Sequence, residues 1–221
     1  MHWLVEHLDF TLPLLQIVAI DLLLGGDNAI VIAMACRMLP AEHQKKAILL
    51  GTVGAVLARI ILLVISVQLL ALPWLKAVGA ILLLWIGCKL VANDEEEEEI
   101  SADSRLWKTV LTIMIADVLM SLDNVLAVAA AGKGNLWLVS LGVAISIPII
   151  VLGSKVVLRL LACFPVMIKL GGALIGWIAG SMLVTDNALL RFTGEIQHLP
   201  LISGMAGVLL VLLSGCILDR S

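Results

Sequence analysis

The sequence predicts an all-α polytopic membrane protein of seven transmembrane helices, arranged as an inverted repeat of three plus three helices with one helix left over. Three observations predict this class. Of 221 residues, 62% are hydrophobic and 14% charged, and the mean hydropathy is +1.13, values that exclude an ordinary soluble domain. Mainly apolar stretches, most of them close to or above the ~20 residues a helix needs to cross the hydrocarbon core, recur along the chain. An acidic phrase also occurs twice, as Asp21-Leu-Leu-Leu-Gly-Gly-Asp27-Asn28 and as Asp117-Val-Leu-Met-Ser-Leu-Asp123-Asn124.

The spans read in order are 11–36, 47–71, 74–92, 107–131, 136–160, 165–185 and 200–218. Residues Met1 to Phe10 carry Glu6 and Asp9 and no basic run, so no cleavable signal is expected and span one should stay in the mature protein. Span one holds the first acidic phrase. Span two holds Arg59 near its middle, and Gly54 and Ala58 four residues apart. Between spans three and four, Asn93 to Leu106 contains Asp94 and the run Glu95–Glu99, which reads as a solvated stretch able to gather cations. Span four holds the second acidic phrase. In span five Pro148 should kink the helix, with Ser146 placed to satisfy a freed backbone group. Span six carries Gly172, Gly176 and Gly180 at a spacing that lets backbones approach, either inside the bundle or at a homodimer seam. Asp186-Asn187, at the end of that span, reads as a solvated loop.

The remaining residue types add little. Trp3, Trp74, Trp107 and Trp137 fall at span ends, as an aromatic belt requires. Cys36, Cys88, Cys163 and Cys216 lack CxxC spacing and are expected to fill apolar gaps on the reducing side of the membrane. His2, His7, His43 and His198 lie near interfaces with no partner pattern.

Lys and Arg set the orientation. One side carries Arg37, Lys45, Lys46, Lys89, Arg105, Lys108, Lys155, Arg159, Lys169 and Arg220, and the other only Lys76, Lys133 and Arg191. This imbalance predicts a plasma (inner) membrane protein with the N-terminus outside and the C-terminus in the cytoplasm.

The repeat extends beyond the acidic phrase. Asp21, Asp27, Asn28 and Ala33 map onto Asp117, Asp123, Asn124 and Ala129 at a constant offset of 96. Leu50-Gly51 matches Leu141-Gly142 at an offset of 91, and Gly79, Trp85 and Asp94 match Gly171, Trp177 and Asp186 at 92. The chain therefore reads as one transmembrane domain, 1–221: repeat one at 1–93, an acidic loop at 94–106, repeat two at 107–186, and an outer loop with the seventh span at 187–221. Three spans are an odd number, so the second copy must enter the membrane upside down. Transporters built this way place their sites near the midplane, at the repeat interface.

A carboxylate at bilayer depth costs at least ~2.5 kcal/mol, so four of them need a cation, a proton or a partner side chain. Asp21 and Asp27 lie six residues apart, a rise of roughly 9 Å in a regular helix, too far for both to reach one ion from a straight helix. Either Gly25-Gly26 unwinds span one, or the inverted copy supplies the missing oxygens, giving one compact cage or two acidic layers. The donors are hard carboxylate and amide oxygens with no His or Cys beside them, a set that suits Mg²⁺, Ca²⁺ or Mn²⁺. Arg59 is either the counter-charge of an ion-free site or a side chain that snorkels or caps a carbonyl.

The stretches Asp21 to Ala33 and Asp117 to Ala129 resemble the paired signatures of the TerC family of integral membrane proteins, in particular its YjbE-type branch of metal transporters. The resemblance covers spans one to seven. It implies seven spans, an outside N-terminus and, as in characterised members, a role in Mn²⁺ efflux. It assigns ion binding to Asp21, Asp27, Asn28, Asp117, Asp123 and Asn124. Other members are tied to tellurite resistance, to metal supply for exported enzymes and to membrane-protein assembly. The expected function is thus a secondary exporter of a divalent cation, Mn²⁺ foremost, with the metal as substrate and no prosthetic group. It is not expected to be an enzyme, and no GxxxxGK[ST] motif is present to couple transport to ATP. A non-transporting assembly or metal-delivery factor is the alternative. An intramembrane aspartyl hydrolase is a further one, which two full Asp pairs suit poorly because one dyad suffices. The expected partners are the divalent ion, the lipid bilayer and, where the glycine faces permit it, a second copy; nothing addresses a nucleic acid.

Overall fold

Apolar sequence of this length in lipid has to satisfy its backbone internally, and helices do so. The computed structural model describes residues 2–70, 72–92, 102–131, 135–186, 188–190, 196 and 198–218, and within them the side chains other than those of 2–10, 24, 66–70, 102, 123, 126, 129–130, 136 and 218. Among the described residues there is no strand. The helices are α1 (His2–Leu24), α2 (Asn28–Cys36), α3 (Ala41–Leu70), α4 (Leu75–Val91), α5 (Ala102–Ala131), α6 (Leu136–Cys163), α7 (Val166–Val184) and α8 (Leu199–Leu218). Among the described residues four stretches are long and apolar enough to cross a membrane: Ala41–Ile65, Trp137–Cys163, Val166–Val184 and Leu199–Ile217. A fifth is the pair Thr11–Leu23 and Asn28–Cys36, bent by 50° at the break between them.

Polarity is distributed as in a membrane protein. Large apolar side chains such as Leu57, Ile61, Leu152 and Leu213 point outward, while Asp21, Asn28, Arg59, Asp117, Ser121 and Ser146 are buried. Three apolar clusters hold the helices together. One gathers Ile17, Val56, Leu62, Leu122, Val139 and Val143; another gathers Ile32, Ile48, Val110, Ile113 and Ile150. Along the chain, α1–α2 and α6 run from the former to the latter, and α3 and α5 run the opposite way. The third cluster joins α4, α7 and α8 through Leu83, Ile86, Ile175 and Val211.

Helix pairing follows the small residues. The pairs α3 with α5, α1–α2 with α6, and α4 with α7 are extensive. A Cβ on Gly51 of α3 would lie 2.9 Å from Ile113 of α5, and one on Gly142 of α6 would lie 2.5 Å from Ile17 of α1. The glycine stripe of α7 is used inside the bundle, against α8. A Cβ on Gly176 would stand 2.5 Å from the Gly207 carbonyl oxygen, and one on Gly207 would stand 2.1 Å from that of Gly176. The sequence left bundle and homodimer seam as alternatives for this stripe, and the α8 backbone now occupies it.

Three expectations change. Asp186 is no solvated loop residue: it is 1% exposed. Its Oδ1 accepts from Trp74 N at 3.1 Å and Ala188 N at 2.8 Å, and its Oδ2 accepts from Ala77 N at 3.2 Å. The carboxylate thus caps the first turn of α4 from across the bundle, where amide N–H groups lack helical partners, and it holds Trp74 at φ 67. Burial pushes the Asp186 carboxyl up, but the N–H groups of Ala188, Ala77, Trp74 and Lys76 outweigh that and hold it below its ordinary value. Second, Cys163 and Cys216 are exposed and fill no gap, because they lie on outward helix faces; Cys36 alone of the four is fully buried. Third, His43 is not without a partner, since its Nε2 stands 3.5 Å from Asp103. Trp107 and Trp137 are exposed at helix ends, as an aromatic belt requires. The acidic run Asp94–Glu99, Lys133 and Arg191, and the side chains of His2, Trp3 and His7, lie outside the described residues.

Candidate functional site

The two acidic phrases fold differently. In the first, the chain leaves α1 at Leu24 and re-enters helix at Asn28. Gly25 N donates to Asp21 O at 2.8 Å and Asn28 N donates to Gly25 O at 3.1 Å, which closes a tight turn between α1 and α2. Glycine is required here by close approach, since a Cβ on Gly25 would lie 2.7 Å from the Asp21 carbonyl oxygen. The unwinding that the sequence left open therefore occurs in the first copy. In the second, Ser121-Leu122 replaces Gly25-Gly26, and α5 passes unbroken through Asp117, Asp123 and Asn124.

The site forms where these segments meet α3 and α6. Arg59 of α3 reaches inward with Nη1 2.5 Å from Asp21 Oδ1 and Nη2 2.6 Å from Asp117 Oδ1. Asp21 and Asp117 occupy the same position in their repeats, so equivalent residues from the two copies meet on one guanidinium. Asn28 Nδ2 donates to the same Asp117 Oδ1 at 2.8 Å. Ser146 Oγ donates to Asp21 Oδ2, and it also lies 2.7 Å from Val143 O. Its single proton serves one acceptor at a time. Ser121 Oγ stands 3.5 Å from Asp117 Oδ2. Asp21, Arg59 and Asp117 are 2%, 7% and 8% exposed, so these ion pairs are shielded from water.

Two oxygens beside this cluster stand out. Asp27 Oδ1 and Asn28 Oδ1 are buried with no hydrogen-bond partner among the described residues. Asp27 begins α2 without using its side chain as a cap. Leaving such acceptors unmatched costs roughly 1–3 kcal/mol each, more for a charged group. A cavity of about 10 Å³, lined by Asp21, Gly25, Arg59, Ser121 and Asn124 among others, has about the room of one water molecule.

The sequence candidates thus divide. Asp21, Asn28, Arg59 and Asp117 converge in direct contact, Asp27 adjoins them in the chain with an unmatched oxygen, and Asn124 lines the cavity. The Asp123 side chain lies outside the described residues. Among the described residues no three His, Cys, Asp or Glu side chains form a group able to hold a metal ion; at the point where the two copies converge stands the Arg59 cation. Arg59 is paired inside the bundle and does not snorkel, and it takes two carboxylates where the sequence suggested one. Sequence reasoning missed the part played by Ser146, expected only to repair the backbone near Pro148. A serine at mid-span in the copy that carries Ile150 at the position equivalent to Arg59 was the available signal.

Comparison with known proteins places this geometry in context. The sequence profile of the integral membrane protein TerC family matches residues 6–220. The uncharacterized membrane protein YjbE of Bacillus subtilis (strain 168) is 44% identical over 190 residues, covering 86% of this chain and 87% of its own. YceF of the same organism, also an uncharacterized membrane protein, is 30% identical over 177 residues, covering 76% of this chain and 68% of its own. The inner membrane protein YgdQ of Escherichia coli (strain K12) is 26% identical over 163 residues, 66% of each chain. No solved structure matches the chain.

Proposed function

The chain belongs to the TerC family of integral membrane proteins, and from that premise we propose that it exports a divalent metal cation, Mn²⁺ first among the candidates, through a site built from both acidic phrases. One observation carries the proposal. Repeat-equivalent aspartates, Asp21 and Asp117, converge inside the bundle on a charge of +1, that of Arg59. Two buried carboxylates aimed at one point make a receptor for positive charge, and a tethered guanidinium is what the chain itself can offer there. In this reading the structure is the cargo-free state. When the metal arrives, Arg59 withdraws and the hard oxygens of Asp21 and Asp117 turn to the ion, with Asp27, Asn28, Asp123 and Asn124 completing its shell. When the metal leaves, Arg59 returns. Protons or another cation complete the exchange cycle.

Seven spans in an inverted repeat, N-terminus outside and C-terminus in the cytoplasm, are the architecture we assign to this cycle. Two features support it. The contact of Gly51 with Ile113 is reproduced by Gly142 with Ile17, both at the repeat offsets. Two of the three spans of the first copy also run between the two apolar clusters in the opposite sense to their counterparts, α1–α2 against α5 and α3 against α6. The α4 helix of 17 residues spans ~26 Å, close to the hydrocarbon thickness, and α5 crosses with Asp117 turned inward. Mn²⁺ is placed first because carboxylate and amide oxygens suit hard cations and because the resemblance to Mn²⁺-efflux members narrows that class. An aspartyl hydrolase fits poorly, since its two carboxylates need to share a proton and here a guanidinium stands between them.

The test is flux into proteoliposomes containing this chain alone, with Mn²⁺, Ca²⁺, Mg²⁺ and Zn²⁺ compared under a varied pH gradient. Mn²⁺ flux abolished by Asp21→Asn or Asp117→Asn is the expected result. Absence of flux for every ion would turn the reading toward an assembly or metal-delivery factor. In cells, loss of the protein should raise Mn²⁺ content, and Asp27→Asn or Asp123→Asn should fail to restore it.

A further inference from the structure

Every described side chain placed at the acidic centre comes from α1–α2, α3, α5 or α6. The helices α4, α7 and α8 supply none and pack chiefly on one another. Their seams are tight: a Cβ on Gly180 of α7 would stand 2.1 Å from the Ser203 carbonyl oxygen of α8, and one on Gly172 would stand 2.1 Å from Val91 of α4. Within the other group, α3 meets α5 and α1 meets α6 through Ile113 and Ile17, β-branched side chains that are stiff at χ1.

The seam between the two groups is different. Among the described residues, contacts of α4 and α7 with α2, α5 and α6 are sparse. A Cβ on Gly79 of α4 would lie 2.9 Å from Met182 Cε and 3.1 Å from Leu119 Cδ2 of α5. One on Gly171 of α7 would lie 2.4 Å from Met34 Sδ and 3.0 Å from Ile30 Cγ2 of α2. The atom nearest each glycine is thus the end of a methionine, a side chain that re-packs readily. Val31 of α2 and Ala116 and Met120 of α5 add to this apolar face, and Arg37 Nη2 donates across it to Ala92 O at 3.3 Å, near the helix ends. Gly79 and Gly171 match at the offset of 92, and their contacts cross. The glycine of the first copy seats the acidic helix of the second, and the glycine of the second copy seats α2 of the first.

We infer, resting on the export reading, that the molecule works as two bodies: α1, α2, α3, α5 and α6 carry the acidic centre as one unit, which shears against a frame of α4, α7 and α8 at Gly79 and Gly171. A centre whose ligands all belong to one body changes the face it opens to when that body shifts or comes apart. Coming apart would break the Arg59 ion pairs and the isoleucine seams together. Shear along the sparse, methionine-lined seam keeps both, and sparse packing marks where a fold yields first. Gly79 and Gly171 are positioning residues in this cycle. Neither touches the ion, and each gives a methionine room to re-pack as the seam moves.

The experiment compares Mn²⁺ flux in proteoliposomes with Mn²⁺ binding in detergent, read from loss of the free-ion EPR signal, for the full-length chain. Gly79→Ala and Gly171→Ala each add a methyl group to which a methionine end yields, so both variants should fold. Each should lower maximal flux roughly tenfold, because the overpacking falls on the moving seam, and leave the binding constant unchanged. A second measurement ties the frame together. In Val91→Cys with Gly172→Cys the two Cβ atoms would lie 3.6 Å apart, within disulfide reach, and Cys88, Cys163 and Cys216 are changed to alanine in the same chain. Oxidising this pair joins α4 to α7 and should leave flux equal to that after reduction by dithiothreitol. Full flux in both alanine variants would overturn the two-body motion, and so would flux that falls when the pair is oxidised. Flux and affinity lost together would make the glycines mere packing and overturn it as well. A parent chain that moves no Mn²⁺ would fail at the export reading, and the two-body cycle would fall with it.

Discussion

Replacing Arg59 by methionine isolates the electrostatics of the site. The side chain keeps much of its length while the two ion pairs to Asp21 and Asp117 disappear. Two carboxylates then remain, buried and aimed at each other. Two like charges at roughly 5 Å repel by about 3 kcal/mol at an effective dielectric of ~20, and breaking a buried pair by removing one partner typically costs about 3–5 kcal/mol. For a chain of this size that is on the order of 6–20 °C in apparent Tm. Divalent cation should return part of the loss: at a hundred times its Kd a ligand contributes about 2.7 kcal/mol. It should do so more in Arg59→Met than in the parent, where the guanidinium competes for the same oxygens. The assay is thermal unfolding in detergent, followed by tryptophan fluorescence with and without Mn²⁺. A control adds Asp21→Asn and Asp117→Asn to Arg59→Met, which should regain most of the stability and lose the Mn²⁺ response. Unchanged stability in Arg59→Met, or a Mn²⁺ response no larger than the parent's, would refute the view that Arg59 holds the place of the cargo.

Three further outcomes are expected. Ser146→Ala removes a donor to the Asp21 carboxylate and should lower stability by about 1.5–3 kcal/mol, measured by the same unfolding assay, whereas Ser154→Ala, which bonds only Ile150 O, should cost less. Asp186→Ala should destabilise the start of α4 by about 1–2 kcal/mol. Because the folded Asp186 carboxyl is held below its ordinary value, the stability it supplies is complete above that ordinary value and lost as pH falls through the lower folded one, so an acid titration should find Asp186→Ala and parent converging at the acid end. Gly207→Val should split α7 from α8, since even a Cβ there would lie 2.1 Å from the Gly176 carbonyl oxygen; loss of folded protein in detergent gel filtration is the readout, with exposed Leu209→Val as the tolerated control.

Much of the fold was legible because lipid imposes a simple rule: apolar stretches become helices, and the described helices fall on the expected stretches. Their ends ran further than expected at Ala41, Ala102 and Cys163, because hydropathy marks the apolar part of a helix and not the polar turns beyond it. The meeting of Asp21 with Asp117 was not legible: antiparallel helices with level midpoints would set Asp21 against Asp123 and Asp27 against Asp117, whereas Asp21 and Asp117 converge on Arg59. Arg59 shifts the balance by drawing the two equivalent aspartates together. Asp186 was misjudged for a different reason. A carboxylate after a span looks solvated in sequence, and the helix start it caps lies 112 residues away.

The duplicated acids are symmetric, but the groups that handle them are not. At the repeat offset of 91, the counterpart of Arg59 is Ile150, and the counterpart of Ser146 is Ala55. Only the first copy carries the glycine break, while the second runs straight through Ser121-Leu122. An inverted repeat with identical halves would weigh its two orientations equally and have no built-in resting state. In the proposed transport cycle, placing Arg59 on the first copy, the Ser146 donor on the second, and the broken helix beside Asp27 would give the two orientations different energies. Exchanging the fittings by Arg59→Ile with Ile150→Arg should therefore leave the acids partnered from the other side and move the preferred orientation. Accessibility of single cysteines placed at either helix end would read that shift, and an unchanged pattern would mean that Arg59 neutralises charge without setting the state.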